Sequence, residues 1–576
     1  MTSERMFDRS VVVGLIVGLL MGFVDTYGYV TTGYTTAELS IVITPILIKI
    51  LLGNKSSLRS IVRGAIIAYG MSFATIIASG MLVTNAYTRY VYEKFFYGSD
   101  FPRWLYDPQC SYYVACSYAF VYIFTGLLSL PGIILAYLYR HLFLDKLQLP
   151  YPIAITSFII SGFIDRIRKF RSVYQAILIG LILQLTIFIL NEPSIDLSPS
   201  TNTVIKGSIM SLSIDFIIIF LSLILPPRIS MSIGLSSVLT ALLILPLGYH
   251  LSLFSIGGVN TIDNILYNAS WYEASVIFGS VLAIGLVYSY KMREALVTIS
   301  KISLRGRDLI LLIIMLFGFL SLFIASTIYT EHSVSLWYIV FSLIWVLILL
   351  PLLVILTTIT VGEAGIASQS LYPFNTVYLY VTGFRGFSPY VFMDHYLGIP
   401  MPGSLSSATA NIIKLSRMSG NPIVRSILLF VFSFSIGLFI TLIYGILLLD
   451  TFFNPATSSE RLIRWLPYVN WSILVYKGQL DLSVLGGGII IGAIYMTLLL
   501  LVGLYTPLKI SPLPYVIGLS LSPDYGLLFL VGAFVRLFIS RFGIEAQERL
   551  ILYSTALLVG SGLSIPLYVV LSSVLG

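Results

Sequence analysis

Four carboxylates stand inside or beside long apolar runs: Asp25, Glu38, Asp215 and Glu363. A charged side chain at the centre of a bilayer costs about 2.5–3.5 kcal/mol on insertion scales, so each of these needs a partner, a bound cation or a proton. Between Asp25 and Glu38 lie two glycines and five threonines. That composition reads as an unwound polar segment lining a cavity, with Tyr27, Tyr29 and Thr32 among its hydroxyl groups. A comparable stretch from Thr357 to Asn375 carries Glu363, Gln369, Tyr372 and Asn375. Facing one another, the two segments offer carboxylates for a substrate amine, a metal or a proton, and hydroxyls and amides for a peptide-like backbone. The proton-coupling candidates are Asp25, Asp215 and Glu363. The competing reading of Asp25, Glu38 and Glu363 is an interfacial position wetted by headgroups. For Asp215, near the middle of the run 204–225, it is a structural partnership with a basic residue.

Several elements must position these groups. Gly14, Gly18 and Gly22 recur every four residues, which gives one helix a face smooth enough for close approach by another. Asp25 lies three residues beyond Gly22 on that face, so it should point into the bundle. Two Pro-initiated stretches, about 150–163 and 512–522, are too short to span and read as re-entrant hairpins entered at Pro150, Pro152 and Pro514. Basic residues flank the first on both sides: Arg140 and Lys146 before it, Arg166, Arg168, Lys169 and Arg171 after it.

The 576-residue chain is 57% hydrophobic and only 10% charged, whereas soluble domains carry about a quarter charged residues. Roughly fifteen apolar runs are long enough to cross a bilayer. The expected fold is an all-α polytopic membrane protein with about 15–16 transmembrane helices, some broken or re-entrant. This excludes a soluble enzyme, a secreted module and a disordered scaffold. The net charge of +8 is spread through short loops, where it sets topology and predicts a cytoplasmic N-terminus. It forms no nucleic-acid footprint. The loop 385–422, with Arg385, Lys414 and Arg417, runs against the positive-inside pattern, and the acidic stretch 250–273, including Glu273, is expected on the opposite side.

Three anchors recur in order. Leu149-Pro-Tyr-Pro152 and Leu513-Pro-Tyr515 are offset by 364 residues; the helix entries at Arg63 and Arg425 are offset by 362. The acidic, Gly-containing helix ends at Asp25 and Glu363 are offset by 338. The pattern predicts two repeats, 1–305 and 306–576, in inverted topology, a recurring plan of secondary transporters.

Other chemistry is missing its signatures. Gly53-Asn-Lys55-Ser is only a fragment of a P-loop, and no Gly-x-Ser-x-Gly or His-Glu-x-x-His motif occurs. The histidines His141, His250, His332 and His395 are isolated, so no metal site and no cofactor is expected. Cys110 and Cys116 could form a small disulfide staple or stand as two free thiols. A membrane-embedded lipid or polysaccharide flippase, or a lipid-phosphate transferase, is the rival reading. Its acidic metal pair would be Glu545 and Glu548, with Arg541 and Arg549 beside them.

The stretch Arg9-Ser-Val-Val-Val-Gly14, leading through Gly18 to Asp25-Thr-Tyr-Gly28-Tyr and Thr32-Gly33-Tyr-Thr, resembles the oligopeptide transporter superfamily. So do the Leu149-Pro-Tyr-Pro152 hairpin, Leu513-Pro-Tyr515-Val-Ile-Gly518 and Gly532-Ala-Phe-Val-Arg536. The chain lacks the Asn-Pro-Gly motif of the eukaryotic peptide branch and looks closer to the prokaryotic and yellow-stripe-like branch. The resemblance implies a proton-coupled importer of small oligopeptides or metal chelates in the plasma membrane, with two inverted halves, and no enzymatic activity. The implied partners are a peptide or small-molecule substrate, coupling protons and membrane lipids; the sequence leaves open whether the chain forms an oligomer.

Overall fold

The computed structural model describes residues 8–32, 37–52, 56–96, 130–163, 170–190, 194–258, 260–291, 336–365, 372–383, 401–452, 466–479, 481–505 and 510–575, with five further positions from 309 to 320. The fold is all-α. Its first part comprises α1 (Arg9–Thr32), α2 (Ala37–Leu52), α3 (Leu58–Phe96), α4 (Pro152–Phe163) and α5 (Phe170–Ile189). There follow the short helix α6 (Ser198–Val204), α7 (Phe216–Ile224), α8 (Pro227–His250) and α9 (Ile262–Lys291). A helix begun at Leu336 continues through a π turn into α10 (Leu350–Ala364). The remainder is α11 (Tyr372–Val381), α12 (Met401–Ser419), α13 (Ile423–Phe452), α14 (Leu466–Lys477), α15 (Leu482–Tyr505), α16 (Pro512–Leu519), α17 (Pro523–Ser540) and α18 (Ile544–Leu575). The strands Ser194–Asp196 and Ser211–Ser213 pair antiparallel.

Among the described residues eight helices are long and apolar enough to cross a membrane. Their outward faces are apolar too: Leu178 and Ile182 on α5, Ile490, Ile494 and Leu498 on α15, and Phe534 and Phe538 on α17 are all exposed. A water-soluble protein reverses that arrangement. α4, with 12 residues, and α16, with 8, are about 18 and 12 Å long, well short of a 30 Å core.

Glycine sets the tight crossings. A Cβ on Gly14 would overlap the Gly64 carbonyl oxygen, one on Gly18 would press on Ala68 and Met71, and one on Gly22 on Thr75. The smooth face of α1 therefore lies on α3, with the two helices parallel. Gly279 and Gly492 do the same for α9 and α15.

Several expectations change. The chain from Asp25 to Thr32 is not unwound: α1 stays helical through Thr32, and α2 begins at Ala37. The run 204–225 is not one helix but an extended stretch followed by the nine-residue α7. Glu273 is not in a loop, because α9 starts at Ile262, eleven residues earlier. Arg417, at the end of α12, pairs with Asp145 at 2.6 Å, and Gly420 lies against the Arg59 guanidinium. Arg417 therefore shares a face with Arg59 and conforms to the charge pattern. Finally, α3 and α13, the helices entered by Arg63 and Arg425, pack side by side in parallel. Asn421 donates to the Arg59 carbonyl at 3.3 Å, Gly70 meets Phe430 and Ser433, and Gly437 meets Met71 and Ala74. An inverted pair would run antiparallel, so this anchor does not have the inverted relation.

Candidate functional site

The break inside 204–225 is the first half of the site. Gly207 lies against Tyr249, the Ile209 amide donates to the Ala241 carbonyl at 3.3 Å, and Ser230 donates to the Ser222 carbonyl at 2.9 Å. Residues 207–224 thus run the length of α8 in the opposite direction, extended at first and helical from Phe216. Asp215 sits at the junction as the N-cap of α7, accepting from the Ile217 and Ile218 amides at 2.8 and 3.3 Å. The Phe216 amide donates to Gln184 Oε1 at 3.1 Å. At the other end the Arg536 guanidinium donates to the Leu223, Ile224 and Leu225 carbonyls. A half-helix inside a membrane leaves up to four orphan groups at each end. Here a carboxylate and a guanidinium meet part of that need.

The second half is the α16–α17 hairpin. α16 runs along α8 from Ser511, whose amide donates to Ser232 Oγ at 2.9 Å, to the turn at 520–522. There Ser237 donates to the Leu521 and Ser522 carbonyls at 2.8 and 3.0 Å. Ser237 is close to the middle of α8, so the hairpin tip lies about halfway along a membrane-length helix. Asp524, in the first turn of α17, is 3% exposed. Its carboxylate accepts from Ser213 Oγ at 2.6 Å and from Ser522 Oγ. Ser213 precedes Asp215 by two residues, so the two interrupted segments meet there and bring Asp215, Asp524 and three serines to one depth.

Asp25 is 1% exposed and accepts a hydrogen bond from Ser72 on α3. It faces the bundle, as the glycine spacing predicts. Glu363 lies in the last turn of α10, which Gly365 ends with φ +75°. Ser511 Oγ donates to it at 3.0 Å. The neighbouring Gly362 carbonyl accepts from the Tyr151 amide at 2.8 Å. The entries of both short helices, at Pro150-Tyr151-Pro152 and just ahead of Pro514, therefore converge on the end of α10. Tyr151 holds φ +49° to do so, a conformation that costs a non-glycine residue about 1–3 kcal/mol and persists only where surroundings enforce it.

Asn375 is fully buried and accepts from Trp345 Nε1 at 3.2 Å. The contacts described for Asp25 and Glu363 lead to different partners, α3 and the start of α16, and do not bring the two carboxylates together. Tyr27, Tyr29 and Thr32 on α1, Glu38 on α2 and Tyr372 on α11 have a helical backbone, but their side chains lie outside the described ones. Gln369, Cys110 and Cys116 fall outside the described residues altogether. Asp524 was not singled out by the sequence reading, although Ser522-Pro523-Asp524 has the form of a helix start: an N-cap serine, proline at the first position and an acid in the first turn. The Pro226-Pro227 pair likewise marks the end of α7. Among the described residues no cluster of three or more His, Cys, Asp or Glu side chains could hold a metal. No protein-family profile matches the chain, and no curated protein matches it.

Proposed function

We propose that this chain is a secondary active transporter that couples uptake of small oligopeptides or metal chelates to protons across the cytoplasmic membrane, with its N-terminus inside. The observation that carries this reading is the mid-depth junction, where Asp524 is buried among serines at the meeting point of two interrupted helices. Discontinuous helices near the midplane are how transporter folds place polar groups in a membrane without exposing them to lipid. Acceptor-only carboxylates at that depth suit a proton or a substrate amine, and the serines suit a polar backbone.

Proteoliposomes with an imposed pH gradient, offered a panel of di- to tetrapeptides and a panel of metal chelates, test the proposal. Gradient-dependent uptake from one class is expected, and it should be lost in Asp524→Asn and reduced in Asp25→Asn. Absence of uptake from both panels contradicts the transport reading. Full activity in both variants contradicts the assignment of the carboxylates.

A further inference from the structure

α9 carries an acid that none of the contacts above uses. Glu273 is the twelfth residue of the 25-residue apolar span Ile262–Leu286, so it lies at the middle of a membrane-length helix. It is 8% exposed, and its Oε2 is buried without a hydrogen-bond partner. Two more buried polar atoms on these elements are unspent: Trp271 Nε1 on α9 and Asn470 Oδ1 on α14. The two helices are tied together there. Asn470 Nδ2 donates to the Tyr267 carbonyl at 3.0 Å and to Ser270 Oγ at 2.7 Å, and Trp271 stacks edge-on against Trp471 at 5.8 Å. Residues three apart on a helix are surface neighbours, so Glu273 lies one turn from the serine that Asn470 holds.

An ionised carboxylate needs a positive charge or several donors. The described charged and titratable side chains on the elements packed against α9 supply neither close by. α15 and α16 contribute Tyr495 and Tyr515, which bond to each other. α11 contributes Tyr378 and Tyr380. On α14, Lys477 is at the far end, donating to the Phe96 carbonyl and lying over the Tyr92 ring. The end of α8 carries Tyr249 and an exposed His250. On α9 itself, Asp263 is ten residues away, about 15 Å along the axis. A single bound proton resolves this arrangement, because it removes the charge from the buried carboxyl.

We infer that Glu273 is a proton-binding site within the membrane, on α9 one turn from Ser270 and separate from Asp25 and from the junction at Asp524. Its place in a transport cycle rests on the transporter reading; its protonation does not. The test is infrared difference spectroscopy on the purified protein in nanodiscs during a pH titration. A protonated-carboxyl stretching band is expected at neutral pH and lost in Glu273→Gln. Wild-type protein carrying carboxyl-labelled glutamate should show the same band moved by the isotope, which keeps the test open if a variant fails to fold. An unlabelled band position in that sample, or identical spectra for wild type and Glu273→Gln, overturns the assignment. So does a band that responds to sodium at fixed pH, which would indicate a metal-cation site. A band that behaves as expected in a protein that transports neither panel retains the proton site and rejects the transporter. Gradient-driven uptake with no such band does the reverse.

Discussion

Asp215 and Arg536 hold the two ends of the nine-residue α7. Hydrogen bonds to a charged group contribute about 1.5–3 kcal/mol each, and a buried carbonyl left without a partner costs a comparable amount. Arg536→Gln is therefore expected to destabilise α7 by about 2–3 kcal/mol. Faster amide exchange confined to residues 216–225 would be the readout, and unchanged exchange there would refute the capping role. At this scale the sequence exposed Asp25 well, because glycine spacing fixes which side of a regular helix an acid occupies. It concealed Asp524 and Glu273 for one shared reason. Each lies where a helix boundary differs from the edge of the apolar run, Asp524 because Pro523 opens a helix and Glu273 because the polar residues from Asp263 to Ser270 belong to α9.

Among the elements, α1 and α3 make their closest approach at glycine. Gly14→Ala pushes a methyl into the Gly64 backbone, and overpacking of this kind costs about 1–3 kcal/mol. A lowered unfolding midpoint in detergent is expected, while Gly162→Ala, where an added Cβ meets nothing within 4 Å, should be nearly silent. A second contact ties α12 to the segment ahead of α4: hydrogen bonds from Arg417 and then His141 hold the Asp145 carboxyl down to about 2. A depressed carboxyl pKa stabilises the fold above the unfolded value, about 3.8, and that contribution is lost as pH falls toward 2. The groups are half-exposed, so the effect should be below about 1 kcal/mol. Comparing wild type with Asp145→Asn, the stability difference should shrink between pH 4 and pH 2; a difference that stays constant would argue against the pairing. The short helices α4 and α16 were legible from their length and initial prolines. The interruption at Asp215 was not, because an apolar extended strand and an apolar helix look alike in composition.

Across the whole molecule the two halves of the chain interleave: α3 packs on α13, α5 on α18, and α8 on both α16 and α17. The recurrence of Arg63 and Arg425 marks two helices that lie side by side, α3 and α13. Sequence offset carries no information on direction, however, and these two run parallel. A cysteine pair at Arg59 and Asn421, with Cys110 and Cys116 replaced by serine, should cross-link, since the Asn421 side-chain Nδ2 donates to the Arg59 carbonyl at 3.3 Å and Gly420 lies against the Arg59 side chain. An inverted arrangement would place the two positions at opposite faces and give no product. The continuous helix α8 unites this interleaved body. The extended stretch bonds to it at Ala241, the hairpin tip at Ser237 and α7 at Ser230. One rod thus carries all three segments, so a distortion of α8 displaces the extended stretch, α7 and the hairpin tip together. The π turn at Thr240–Ile244 falls just beyond the hairpin tip, between the contacts at Ser237 and at Tyr249, so the winding of that rod changes where its two sets of partners part.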